Sequence, residues 1–251
     1  MNKKYKYTLI ICCIFFVYII LKKNNIDNFI NYNNISVVIL NFKRPHNIDI
    51  LTDKLLELPY IDEIIISHGR KDKENIIKNS KIINETKIRN KYFSATRFYI
   101  GSKLPKNNAV LLLDDDLLPS GNLIEKLFTK YSKDNNNIYG CFSRRCDKNG
   151  YHRGKSDILT GLCLVDKKVI QNVWNMMLKS EYFPILLRQE GNGEDLLFNY
   201  IFKKLYKKNP VYVKGNYKRL DTSGGYSSNK NGTRNKSHYK LRGEFCKKLY
   251  S

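Results

Sequence analysis

The chain has 251 residues, 42% hydrophobic and 27% charged, which excludes an intrinsically disordered protein and suits one large domain or two fused half-domains. Lys and Arg outnumber Asp and Glu by 45 to 23, a formal charge of +22. The lysines are scattered and build no single basic helix, so the charge does not mark a nucleic-acid binder and no nucleic acid is expected as a partner.

Lys3, Lys4 and Lys6 precede an apolar run from Tyr7 to Leu21, which Lys22 and Lys23 close. The run is shorter than the roughly 17–25 residues that span a bilayer, which also fits a cleaved signal peptide. No small-x-small cleavage site follows Leu21, so residues 1–23 read as a signal-anchor. The expectation is a single-pass type II membrane protein, anchored through its N-terminus, with the large domain in the ER or Golgi lumen. Lysines on both flanks leave the charge rule weak on orientation. Sequons at Asn34, Asn84, Asn231 and Asn235 fit a lumenal domain, although an Asn-rich chain produces many by chance. Residues 24–34 are polar and Asn-rich, a stem ahead of a domain over 35–251. Outside the anchor, Cys141, Cys146, Cys163 and Cys246 allow three pairings, and no Cys/His spacing resembles a zinc site.

Ile35 to Leu40 is an apolar, β-branched run that predicts a buried strand. Pro45 ends it, and Ile48, Leu51, Leu55 and Leu58 predict a helix over 46–58. Further strands are expected at 61–66, 109–113 and 138–142, with helices over 122–131 and 196–205. Strand alternating with helix predicts an α/β fold with a mainly parallel central sheet. In such sheets ligands bind at the carboxyl ends of strands, where Asp114, Asp115 and Asp116 end the third run.

That aspartate triple is the strongest chemical signal. Adjacent carboxylates repel, and a divalent cation relieves the repulsion; hard oxygen ligands suit Mg2+ or Mn2+. An acidic turn capping the next helix is the plainer reading. A second signal is Glu194-Asp195 at the head of an apolar helix, explained either by helix electrostatics or by a catalytic or acceptor-binding carboxylate. A third is His238 and Arg242, four apart and on one face if helical, where Arg suits a departing diphosphate. His46 and His152 carry no assignment, and Trp174 reads as core.

Six segments carry a family likeness: Ile35 to Arg44, Leu55 to Ile66, Ala109 to Asp116, Ile158 to Gly161, Gly193 to Asn199, and Ser223 to Ser227 with His238 to Cys246. In that order they resemble the exostosin-like glycosyltransferases of family 64, which build heparan-type glycans. The resemblance implies a GT-A fold, a UDP-N-acetylhexosamine donor, a glycan acceptor, Mn2+ and retention of anomeric configuration. By the same resemblance Asp116 is the metal ligand, and Asp114 and Asp115 touch the ribose and the sugar. Arg44 touches the nucleotide. Asn90 and Arg97 match the segment before the metal strand. Asp195, beside Glu194, matches the catalytic carboxylate, and Arg242 is expected near the diphosphate, across the reacting bond from Asp195. Two departures stand out. Ser67-His68-Gly69-Arg70 replaces the family's Trp-Asn-Asn loop at the base. Gly193 replaces a Cys, so the family's disulfide to Cys246 cannot form, and Cys246 is free or paired with Cys141, Cys146 or Cys163. The alternatives are an inverting GT-A transferase with Asp195 as base, and a non-catalytic membrane-tethered glycan- or polyanion-binding protein.

Overall fold

A computed structural model describes residues 34–222 and 236–251. The signal-anchor, the stem up to residue 33, the segment 223–235 and the sequons at Asn231 and Asn235 lie outside the described residues. Among the described residues no helix is long and apolar enough to cross a membrane.

The first half of the domain contains β1 (Ile35–Asn41), α1 (Pro45–Leu56), β2 (Ile61–His68), β3 (Ile82–Glu85), α2 (Thr96–Lys103), β4 (Ala109–Asp114), β5 (Leu117–Pro119) and α3 (Gly121–Tyr131). The second half contains β6 (Ile138–Gly140), β7 (Ser143–Asp147), β8 (Gly150–Ile158), β9 (Leu162–Asp166), α4 (Lys167–Lys179), α5 (Phe183–Arg188), α6 (Glu194–Tyr206), β10 (Val211–Tyr212), β11 (Tyr217–Arg219) and α7 (Lys236–Leu249). Helix α1 stops at Leu56, short of the expected Leu58, because Pro59 disfavours helical backbone at the residue before it. Strand β2 runs on to His68, pairing Ser67 and His68 with Leu40 and Asn41. Strand β6 ends at Gly140 rather than 142; Phe142 leaves the sheet and accepts from the Leu159 amide through its carbonyl.

Seven strands form one sheet in the order β10-β6-β9-β4-β1-β2-β3. All neighbours pair in parallel except β9, which runs antiparallel between β4 and β6. Strands β1, β4 and β9 are buried on both faces, as their continuous apolar runs require. Helix α2 packs on α4, and α4 on α6, over a core that includes Phe98 stacked on Phe198 at 4.2 Å. Trp174 is a core residue, enclosed by Tyr92, Tyr99 and Phe183.

From β1 the chain steps outward to β2 and β3, then crosses back to β4 on the other side of β1. The strand order therefore reverses at the β1/β4 boundary, and the crevice beyond the carboxyl ends there is the natural ligand site of an open α/β sheet. The register Leu40↔Asp114 sets residues 41–44 beside Asp114–Asp116.

The cysteine pairing left open by the sequence closes here, and one sequon proves to be engaged. Cys246 pairs with Cys146, which ties α7 to β7 across 100 residues; Cys141 and Cys163 are free and buried. Asn84 is not a presented sequon. Its Nδ2 donates to the Ile77 carbonyl at 2.8 Å and its Oδ1 accepts from the Ile77 amide.

Candidate active site

Asp114 ends β4, and its amide donates to the Gly161 carbonyl at 2.7 Å. A Cβ on Gly161 would collide with Asp114 Oδ2, so only glycine lets the carboxylate take this position. Arg97, on α2, is almost fully buried and has three acceptors: Asp114 Oδ1 at 2.6 Å, the Thr160 carbonyl at 2.9 Å and the Ser94 carbonyl at 3.2 Å. Arg44, just after β1, bridges the other two carboxylates. Its Nη2 lies 2.6 Å from Asp115 Oδ1 and its Nη1 2.7 Å from Asp116 Oδ2.

The charge of the aspartate triple is therefore offset in part by two arginines of the protein. Arg44, just after β1, and Arg97, on α2, offset part of the repulsion that a divalent cation was expected to relieve. Burial still tells on the acids. It pushes the Asp115 carboxyl up to about 6, against the lowering effect of Arg44. Asp116 is also raised, by burial first and then by Asp114. For Arg44, burial opposes the charge, but the three aspartates outweigh it and hold the guanidinium protonated.

Glu194 and Asp195 open α6. The preceding Gly193 has φ 112°, and a Cβ there would stand 2.8 Å from the Phe245 ring, so any side chain at this position is both strained and crowded. Arg242, on α7, donates through Nη2 to both Asp195 oxygens, at 2.6 and 2.7 Å, and lies over the Tyr151 ring at 4.7 Å. Arg242 thus contacts Asp195 directly and does not stand across a substrate bond from it, which corrects the expected arrangement. The reason is burial: both side chains are shielded, and an unpaired charge there would be costly. The nearest cation to Glu194 among the described residues is Arg97, its Nη2 at 3.9 Å. Burial, then Asp195, pushes its carboxyl up to about 7. Burial and Arg242 push His238 down to about 4, leaving it neutral.

Asn199 holds the head of α6 in place. Its Nδ2 donates to the Ile158 carbonyl at 2.8 Å and its Oδ1 accepts from the Ile158 amide at 2.9 Å, while Nδ2 also reaches the Asp195 carbonyl. The helix start is thereby locked to the end of β8.

These groups line one cleft of about 300 Å³, at the low end of small-molecule sites. Buried side-chain atoms without a hydrogen-bond partner among the described residues include Asn41 Oδ1, Arg44 Nε, Ser67 Oγ, Thr160 Oγ1, Asn192 Oδ1 and Arg242 Nε, all on cleft residues. Such groups are costly to bury unpaired, so their concentration here marks a surface made for a polar ligand. Among the described residues no group of three or more His, Cys, Asp or Glu side chains is arranged to hold a metal ion. Asp116 and Asp114, 16% and 36% exposed, are hard oxygen donors. They fit a cation held by one or two carboxylates with phosphate oxygens completing its shell.

The glycosyl transferase family 64 domain matches residues 35–251. The chain belongs to that family. No curated protein matches it. A solved structure, 2-C-methyl-D-erythritol 4-phosphate cytidylyltransferase of Francisella tularensis, is similar at 13% identity and a TM-score of 0.46, covering 76% of this chain and 94% of that one.

All nine residues singled out from the sequence of this glycosyltransferase line the cleft: Arg44, Asn90, Arg97, Asp114, Asp115, Asp116, Glu194, Asp195 and Arg242. Sequence reasoning missed Tyr151, Thr160, Asn192 and Arg219 in the lining, and Asn199 behind it. Asn199 carried a signal, being four residues after Asp195 on the same helical face. The replaced loop divides. Ser67 and Gly69 line the cleft, whereas His68 is buried. Its Nδ1 accepts from Asn41 Nδ2 at 3.0 Å and its Nε2 donates to Asn84 Oδ1 at 3.2 Å. His46 is at the surface, paired with Asp221.

Proposed function

We propose that this family 64 domain transfers an N-acetylhexosamine from a UDP-sugar to a glycan acceptor with retention of configuration, on a GT-A fold. The observation that carries the reading is the position of the Arg44–Asp114–Asp115–Asp116 group at the strand-order reversal, facing the Glu194–Asp195–Arg242 group across one cleft. Arg44 and Asn90 bind the nucleotide, and Asp114 and Asp115 orient the ribose and the sugar. Arg97 fixes Asp114. A Mn2+ or Mg2+ ion on Asp116 would neutralise the diphosphate leaving group when bound. Arg242 holds and aims Asp195, so that the carboxylate faces the charge that develops at the anomeric carbon. The N-terminal anchor holds the domain in the ER or Golgi lumen.

The test is a panel of nucleotide sugars assayed for transfer and donor hydrolysis with and without Mn2+, with the anomeric proton of the product read by NMR. Turnover of a UDP-N-acetylhexosamine into an α-linked product supports the reading. A β-linked product makes the enzyme inverting, and no turnover of any donor leaves a binding protein.

A further inference from the structure

Arg44 stands where a metal would have to compete. Its guanidinium fork spans Asp115 and Asp116 at 2.6 and 2.7 Å. The side chain is 12% exposed, and Nε is buried with no hydrogen-bond partner. The group is held firmly between β1 and β4 with donor capacity to spare. A divalent ion on Asp116 would share that carboxylate with Nη1, which brings two positive centres to within about 4 Å in a part-buried site, where like charges repel strongly. The carboxylates alone also leave much of an ion's shell unfilled. A diphosphate changes both conditions at once. It offers the guanidinium a forked acceptor, and it supplies oxygens to the ion.

We propose that Arg44 is the resident counter-ion of Asp115 and Asp116, and that a divalent ion gains these carboxylates only when a nucleotide diphosphate draws the guanidinium away. Metal then binds tightly only with or after the nucleotide, and weakly without it. The inference rests on the metal and nucleotide reading of the cleft given above.

Titration of the purified full chain with Mn2+, followed by the electron paramagnetic resonance of the free ion, tests it. Saturating UDP should tighten Mn2+ binding to wild type by about tenfold or more. Arg44→Gln should bind Mn2+ without nucleotide about tenfold more tightly than wild type, and most of the UDP effect should vanish. Arg44→Lys keeps the charge and should stay as weak as wild type. Circular dichroism checks that each variant is folded, and the wild-type titration stands even if a variant is not. Equal Mn2+ affinity with and without UDP in wild type overturns the proposal and leaves the metal site standing. So does nucleotide-free binding in Arg44→Gln no tighter than wild type, or in Arg44→Lys as tight as in Arg44→Gln. If none of these proteins binds Mn2+ under either condition, the metal site itself is removed and the proposal with it.

Discussion

Glu194 is a carboxyl that burial keeps protonated well above its ordinary range, to about 7 against an unfolded value near 4.5. Between those two values the folded chain holds a proton that the unfolded chain has released. Stability therefore falls as pH rises through that window. Glu194→Gln removes the titration. Urea melts at pH 5 and pH 8 should show the wild type losing more stability than the variant as pH rises, and identical slopes would show that Glu194 is not held neutral. Arg242 and Asp195 obey a different rule, because each cancels the other's charge in a buried place. Arg242→Ala leaves a buried carboxylate without its partner, which costs about 3–5 kcal/mol of stability, and should lower turnover by roughly 10²-fold through loss of control over Asp195. Thermal melting and steady-state rates on one preparation separate the two effects. A variant with normal kcat would leave Asp195 with a purely structural part. At this scale the sequence was legible where charge was conspicuous. Asp114–Asp116 and Glu194–Asp195 announce themselves as runs of one sign. Their partners Arg44 and Arg97 come from positions 72 and 17 residues away, so who neutralises whom was not written in any local pattern.

The elements show the same division. β1, β2 and β4 were readable because a strand buried on both faces is a continuous apolar run. Strand β9 is equally apolar, yet its antiparallel direction depends on neighbours that the residues do not name. The paired strands β7 and β8 are polar and partly exposed, with a register shift between Arg144 and Arg145, so they have no clean alternation to find. They matter nonetheless, because β8 carries Tyr151 under Arg242, and β7 is joined to α7 by Cys146–Cys246. Helix α7 has many charged residues and a limited apolar face, so the crosslink is a main tether for the helix that brings Arg242 to the cleft. Cys246→Ser should cost about 2–5 kcal/mol, since the bond closes a loop of 100 residues. Reducing agent should destabilise the wild type by the same amount and leave Cys246→Ser unchanged. If the variant instead melts like oxidised wild type, α7 is held by packing alone.

Across the whole molecule, the cleft draws on segments from residue 40 to residue 242, from both sides of the β1/β4 boundary. A ligand lodged there bridges both sides of the β1/β4 boundary, and so it stabilises the domain as one unit. Binding at about 100 times the dissociation constant adds about 2.7 kcal/mol to the unfolding free energy. UDP with Mn2+ should accordingly shift a single melting transition upward, not split it into two. Asp116→Asn separates ligand from fold. The substitution removes one of three crowded negative charges and leaves Arg44 paired with Asp115, so the unliganded melting temperature should stay the same or rise. In the proposed reading, however, the cation loses its protein carboxylate. The extra shift that Mn2+ gives over UDP alone should disappear, while the smaller shift from UDP without metal persists through Arg44 and Asn90. A variant that kept the full Mn2+-dependent shift would move the ion to Asp114, the other exposed carboxylate of the triple, and Asp114→Asn would then be the variant that loses it.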